Sequence, residues 1–139
     1  MVNPERIVDR LCDATNRHDL DALTTCFAVG YRNETPTHPA RSFVGRAQVR
    51  RNWEQLFAAM PDLSATITRS ALAGDSVWTE WEMRGTRPDG QPHLMRGVIV
   101  FGIEDDEIAE ARFYLEPVDA DPSDVNAEIA RVVQSGDAP

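Results

Sequence analysis

The sequence contains no lysine, and all fourteen of its basic residues are arginines. Chemistry that needs a lysine amine, such as Schiff-base formation, pyridoxal-phosphate catalysis or the phosphate contact of a P-loop, is therefore excluded. Cysteine is also scarce: Cys12 and Cys26 each lie among apolar residues of a predicted helix. Two such cysteines make neither a disulfide framework nor a zinc site by themselves, so we interpret them as small hydrophobic side chains.

Positive charge is scarce relative to negative charge, since 23 acidic residues against 14 basic ones leave a formal net charge of −9. Such a surface repels phosphate backbones and anionic lipids, so we expect neither nucleic acid nor a membrane as a partner. No apolar run approaches membrane-spanning length, and the opening MVNPER lacks the apolar segment of a signal peptide. We therefore expect a cytoplasmic protein.

The 139 residues, of which 42% are hydrophobic and 27% charged, are typical of one globular domain. The first half has helical periodicity, and the second half alternates with the period of a β-strand. The predicted helices cover residues 4–15, 19–30 and 45–60, and the predicted strands cover residues 31–35, 63–72, 77–86, 93–104 and 107–117. This order indicates an α+β fold with helices on one face of an antiparallel sheet. We assign the domain to residues 1–120 and a polar C-terminal helix or tail to residues 121–139.

Alternation along the strands also predicts which residues face the core. On strand 77–86, the face expected to point inward carries Val77, Thr79, Trp81 and Met83. Residues 98–101, with the sequence VIVF, are apolar on both strand faces. Because the helices can cover only one face of the sheet, we expect a homodimer through the other face.

Four segments, taken in order, resemble one known family. They are NRHDLDAL from residue 16, FVGRAQV from residue 43, GDSV from residue 74 with Gly85-Thr86, and IAEARFYLE from residue 108. Over about residues 5–118 the sequence resembles a SnoaL-like member of the nuclear transport factor 2-like superfamily. The resemblance implies a cone-shaped domain with three N-terminal helices on a strongly curved sheet, a pocket at the wide end, and dimerisation through the sheet. Relatives include polyketide cyclases, ketosteroid isomerases and epoxide hydrolases, so the fold alone does not define the function.

Similarity to the cyclases implies an acid at the end of the last strand, where Glu116 stands in place of the usual aspartate. Arg112, Tyr114 and Glu116 alternate, so they share one strand face. If that face is concave, Glu116 is the acid/base, Tyr114 donates a hydrogen bond, and Arg112 anchors an anion or enolate. The alternative is an exposed Arg–Glu pair on an edge strand, which contributes little stability.

Two other activities of the superfamily fit less well. The three positions that matter for ketosteroid isomerisation fall on Leu11, Thr35 and Val98, so we do not expect that activity. For epoxide hydrolysis, the resemblance implies two acids and an arginine that act on a water molecule. A tyrosine and an asparagine hold that water. Tyr31 and Asn33 share a strand face and match the last two, but a second acid is not apparent.

The remaining candidates are two histidines and a set of large apolar residues. His38 lies in a loop that relatives use at the pocket mouth, and its alternative is a solvated loop histidine; His93 is expected to be exposed. Isolated histidines without nearby carboxylates predict no metal site, and no motif predicts a cofactor. The predicted pocket walls, with plain core packing as their alternative, are Trp53, Phe57, Met60, Trp81 and Met83.

Two functional hypotheses follow. The first is a SnoaL-like enzyme that performs cofactor-independent acid/base chemistry, of cyclase, isomerase or hydratase/hydrolase type, on a polyketide-, steroid- or terpenoid-like ring. The second is a non-catalytic dimer that binds a small hydrophobic ligand. A pocket lined by apolar side chains favours the second, and polar groups that converge on Glu116 favour the first.

Overall fold

The computed structural model describes residues 3–135, which form four α-helices and six β-strands. The helices are α1 (Pro4–Asn16), α2 (Leu20–Thr25), α3 (Arg46–Ala59) and α4 (Val125–Ser135). The strands are β1 (Phe27–Glu34), β2 (Phe43–Val44), β3 (Ser64–Ala73), β4 (Ser76–Thr86), β5 (Pro92–Glu104) and β6 (Glu107–Pro117). The α+β class is confirmed. The ends of the predicted domain and tail, residues 1–2 and 136–139, lie outside the described residues.

One sheet contains all six strands, in the order β2-β1-β6-β5-β4-β3. Strands β3 to β6 pair as consecutive antiparallel hairpins, in agreement with the sequence. One pair departs from the predicted antiparallel arrangement, because β1 runs parallel to β6. These two strands are far apart in the chain, so no tight turn between them requires the antiparallel direction. The sheet is therefore mixed, and β6 lies near its middle.

Side chains and glycine mark the starts of the first three helices. Asn3 Oδ1 accepts a hydrogen bond from the Glu5 amide at 3.0 Å, which caps α1. Asp19 Oδ1 accepts one from the Ala22 amide at 3.0 Å, which caps α2. Asparagine and aspartate are both residue types that favour this capping position. Helix α3 follows Gly45, whose φ of 108° strongly favours glycine.

The second helix is shorter than predicted, and β1 is correspondingly longer. Helix α2 ends at Thr25, and Gly30 lies inside β1 instead of ending the helix. Phe27 and Tyr31 are both buried, and their rings meet edge to face with centroids 4.7 Å apart. Burial of these two rings on the sheet outweighs the local helical periodicity. The extra residues are accommodated by an irregular register with β6 between Phe27 and Arg32.

The core fills the space between the helices and the inner face of the sheet. Four apolar residues of α1 are buried there, namely Ile7, Val8, Leu11 and Ala14. The inward face predicted for β4 is confirmed, since Val77, Thr79, Trp81 and Met83 are all buried. Trp81 Nε1 donates to Thr79 Oγ1 at 2.6 Å, and that hydroxyl donates to the Ile99 carbonyl at 2.7 Å. The polar atoms of this core segment are therefore satisfied.

We call the side of the sheet away from the helices the outer face. Cross-strand pairing places Val100 between Trp78 and Arg112, and Val98 beside Tyr114. Trp78 is 46% exposed and Tyr114 is 39% exposed. The outer face therefore presents large apolar and aromatic surface, as the two-sided pattern of residues 98–101 predicts.

The C-terminal helix α4 exposes an apolar stripe. Val125, Ile129 and Val133 lie four residues apart and are all largely exposed. The prediction of a C-terminal helix is confirmed. Within residues 3–135, no helix has the length and apolar character needed to cross a bilayer.

Candidate functional site

A cavity of about 330 Å³ lies between α3 and the inner face of the sheet. Helix α3 forms one wall, and β1, β2, β4, β5 and β6 supply the others. Its apolar lining consists of Phe27, Phe43, Val49, Trp53, Leu56, Met83, Met95, Phe113 and Leu115. Its remaining lining residues are Tyr31, Asn33, Thr35, Arg41, Asn52 and His93. The size and the mainly apolar surface are typical of a small-molecule site with a few polar contacts.

A buried polar pair lies on the β1 wall. Tyr31 Oη donates to Asn33 Oδ1 at 2.7 Å, and the two residues are only 1% and 9% exposed. Two residues apart on one strand, they point to the same side of the sheet. Burial raises the pKa of Tyr31 far above its usual range, so the hydroxyl keeps its proton. The tyrosine therefore remains a hydrogen-bond donor to the amide of Asn33.

A second amide lies on the α3 wall and belongs to a short hydrogen-bond chain. Arg51 Nη2 donates to Gln48 Oε1 at 2.7 Å, and Gln48 Nε2 donates to Asn52 Oδ1 at 2.7 Å. Helical spacing of three and four residues brings these side chains together. Asn52 is half-buried and lines the cavity, whereas Gln48 and Arg51 do not line it.

His93, at the start of β5, lines the cavity and has a shifted pKa. It is partly buried, and this desolvation together with the positive charge of Arg87 lowers its pKa below the usual value. The imidazole is therefore neutral at pH 7 and has a free basic nitrogen or an N–H to offer. Arg41, also in the lining, is exposed and has no ion-pair partner among residues 3–135.

Four of the seven predicted ligand-binding residues line the cavity, and three do not. Tyr31, Asn33, Trp53 and Met83 are in the lining. Trp81 belongs to the core, where its indole N–H is bonded to Thr79. Phe57 stacks on His18 with ring centroids 4.3 Å apart, and Met60 is 4% exposed at the end of α3. These three support the walls without reaching the cavity surface.

The predicted catalytic residues of β6 lie on the outer face. Phe113 and Leu115 line the cavity, and strand alternation directs Arg112, Tyr114 and Glu116 to the opposite side. None of these three side chains lines the cavity, so the geometry does not support the catalytic role predicted for them there. The polar residues of the strand suggested a site on their own face, while the cavity is lined by the apolar residues between them.

His38 contacts Glu116, which lies near the C-terminal end of β6. His38 Nε2 lies 2.7 Å from Glu116 Oε1, and Thr37 Oγ1 donates to the same oxygen at 3.3 Å. None of these three residues lines the cavity. The loop that carries His38 also carries Thr35 and Arg41, which do line it. The contact therefore connects this loop to β6.

Asn52 and Arg41 were not predicted as site residues, and His93, which was expected to be exposed, is partly buried and lines the cavity. His93 could have been found from pairing: it shares the strand face of Met95, which pairs with Met83 on the predicted inward side of β4. Asn52 precedes Trp53, a predicted wall residue, but its polar character suggested the exposed side of the helix. Arg41 follows Pro39 in a loop, and no periodicity indicates where a loop residue points.

The cavity lining contains no carboxylate among the described residues. No group of three or more His, Cys, Asp or Glu side chains within residues 3–135 is arranged to hold a metal ion. The polar chemistry of this cavity thus rests on amide, hydroxyl, imidazole and guanidinium groups.

A family model described as a SnoaL-like domain matches residues 8–111. No curated protein is detectably similar to the chain. Among solved structures, IdmH from Streptomyces antibioticus, a candidate polyketide cyclase, superposes with a TM-score of 0.70 at 22% identity, covering 95% of this chain and 99% of IdmH. A candidate SnoaL-like polyketide cyclase from Jannaschia sp. CCS1 gives 0.69 at 22% identity, with coverage of 81% and 85%.

A third structure comes from Catenulispora acidiphila and has a ketosteroid isomerase-like fold, in complex with trimethylamine. It superposes with a TM-score of 0.69 at 23% identity, covering 81% of this chain and 87% of the other. At these identities the similarity establishes a common fold, and the chemistry must be argued from the cavity itself.

Proposed function

Because the chain belongs to the SnoaL-like domain family, we propose that it acts on a small apolar compound in the cavity between α3 and the sheet. The proposed reaction is a cofactor-independent proton transfer beside a carbonyl group, as in a cyclisation or isomerisation. The observation that carries this proposal is His93, a neutral imidazole in the wall of a mainly apolar cavity. Polyketide-, steroid- and terpenoid-like rings are the substrate classes that fit the apolar lining.

The proposed chemistry assigns His93 the role that a carboxylate has in better-known relatives. Its neutral imidazole removes a proton from the carbon beside the carbonyl, and the bonding electrons move onto the carbonyl oxygen to form an enolate. In an isomerisation the resulting imidazolium returns the proton to a different carbon of a conjugated enolate. In a cyclisation the enolate carbon attacks a second carbonyl of the same molecule, and the imidazolium protonates the oxygen of that carbonyl. Neither reaction needs an outside oxidant or cofactor. A base that is neutral at working pH is suited to accept the proton in such a transfer.

Deuterium exchange tests this proposal without knowledge of the natural substrate. The probe is 2-tetralone, an apolar ring ketone with acidic hydrogens beside its carbonyl, whose exchange in D₂O is followed by proton NMR. We expect wild-type protein to accelerate the exchange above the buffer rate, and His93→Gln to reduce that acceleration by about 100-fold. Tyr114→Phe is the matched control, because Tyr114 lies on the outer face and should leave the rate unchanged.

A second function is favoured by the lack of a carboxylate among the described residues of the lining. In that case the protein binds an apolar ring compound without changing it. The same experiment separates the two functions. Binding of 2-tetralone with exchange no faster than in buffer supports the carrier, and acceleration that depends on His93 supports the enzyme.

A further inference from the structure

The hydrogen-bond chain on α3 determines which atom of Asn52 is available to a ligand. The guanidinium of Arg51 can only donate, so the Gln48 atom 2.7 Å from it is the carbonyl oxygen. The other end of the Gln48 amide is then its NH₂ group, which donates to Asn52 Oδ1. With Oδ1 engaged, Asn52 offers its Nδ2 hydrogens, which have no acceptor among the described residues.

The side-chain oxygen of Asn33 also accepts a hydrogen bond, in this case from Tyr31. The Nδ2 of Asn33 has no protein acceptor in the described part of the chain. No side-chain polar atom buried within residues 3–135 lacks a partner. Since Asn33 lines the cavity, its Nδ2 is therefore open to the cavity space. Both asparagines thus have an occupied oxygen and a free NH₂ group.

Two other side chains of the lining, Arg41 and Tyr31, also make the cavity richer in hydrogen-bond donors than in acceptors. Arg41 can only donate, and Tyr31 has already directed its hydrogen to Asn33. A ligand group that itself donates a hydrogen bond would find each amide oxygen already accepting one hydrogen. A ligand group that accepts would find two free NH₂ groups, each held in orientation by a neighbouring side chain.

We propose that Asn33 and Asn52 form a donor subsite that selects apolar ring compounds by their carbonyl oxygens, and that Gln48 and Arg51 set its polarity. This proposal deepens the proposed function, since it rests on the same cavity binding a small molecule. Gln48 acts as a positioning residue, because it touches Asn52 and does not line the cavity. The selection concerns binding and does not require that the ligand be converted.

The test compares 9-fluorenone with fluorene, which has the same fused rings and no carbonyl oxygen. Equilibrium dialysis gives the dissociation constants of both for the full-length protein. We expect wild-type protein to bind 9-fluorenone about fivefold to tenfold more tightly than fluorene, as one or two net hydrogen bonds allow. Asn52→Leu should reduce this preference, measured as the ratio of the two dissociation constants.

A second variant changes the polarity of the subsite without altering the lining. In Gln48→Glu the new carboxylate cannot donate, so Asn52 must rotate to donate its Nδ2 to it and present Oδ1 to the cavity. We expect this variant to reduce the ketone preference as Asn52→Leu does, with an unchanged circular dichroism spectrum. Arg51 can still pair with the new carboxylate, so the helix keeps that contact.

Three outcomes would overturn the proposal: no binding of 9-fluorenone, equal affinities for the two probes, or a preference that survives both substitutions. Because dialysis measures binding alone, failure of this proposal is distinct from failure of the proposed reaction. A ketone preference that depends on Asn52, together with no deuterium exchange of 2-tetralone, would remove the reaction and leave the subsite in place.

Discussion

His38 Nε2 lies 2.7 Å from Glu116 Oε1, and neither residue lines the cavity. The pair connects the loop between β1 and β2 to the end of β6, and both side chains are more than a third exposed. We therefore expect Glu116→Gln to leave deuterium exchange of 2-tetralone unchanged within about twofold and to lower the free energy of unfolding by less than about 1 kcal/mol. Urea unfolding and the exchange assay measure the two quantities.

Loss of most of the exchange activity in Glu116→Gln would contradict this expectation. It would mean that the loop brings Glu116 into the cavity when a ligand binds. His38→Gln serves as the control, because it removes the same contact and leaves the carboxylate in place.

The main features of the fold could be predicted because they depend on local patterns. The caps at Asn3 and Asp19, and the inward face of β4 around Trp81, each follow from neighbouring residues and strand or helix period. The parallel pairing of β1 with β6 could not be predicted, since it depends on residues about eighty positions apart. The start of β1 was missed because Phe27 fits a helical stripe as well as a strand.

The candidate site was predicted only in part, for a physical reason. Apolar walls such as Trp53 and Met83 follow from periodicity, because both core and cavity lining need apolar side chains. Polar cavity residues break that periodicity. On β6 the polar residues suggested a catalytic face, yet Phe113 and Leu115 are the ones that line the cavity. On α3, Asn52 looks like an exposed residue until the sheet is placed against it.

The chain has two tyrosines, and they allow a matched test of the buried pair on β1. Tyr31→Phe removes the donor to Asn33 Oδ1 and leaves that oxygen buried without a partner. We expect it to lower the free energy of unfolding by about 1–3 kcal/mol. Tyr114→Phe, which removes an exposed hydroxyl on the outer face, should change it by less than about 0.5 kcal/mol. Urea titrations give both values, and equal effects would contradict the assignment.

The outer face leads to a prediction about assembly. Trp78 is 46% exposed beside Val100, and such an apolar surface favours association with a second copy. We expect a homodimer whose mass, measured by light scattering after gel filtration, falls to that of a monomer in Trp78→Arg. Ile129→Arg, which adds the same charge to α4, should leave the dimer intact. A wild-type monomer, or a dimer that persists in Trp78→Arg, would contradict the prediction.

The pKa of His93 predicts how activity depends on pH. Burial and, to a smaller extent, Arg87 lower this pKa below the usual 6.5. Because the neutral imidazole is the proposed base, exchange of 2-tetralone should be constant above pH 6.5 and fall as pH decreases through the lowered pKa. Arg87→Gln removes the positive charge and should move this midpoint upward, though not past 6.5 because burial remains. Arg87→Lys keeps the charge and should leave the midpoint in place.

The lowered pKa of His93 also predicts how the free energy of unfolding depends on pH. As pH decreases below 6.5, the unfolded chain takes up a proton before folded His93 does, so the free energy of unfolding decreases and levels off below the folded pKa. His93→Gln should remove this part of the pH dependence. Proton NMR of the imidazole gives the pKa directly, and urea unfolding at several pH values gives the linkage. A His93 pKa above 6.5, or an exchange rate that rises as pH decreases, would remove His93 from the role of base.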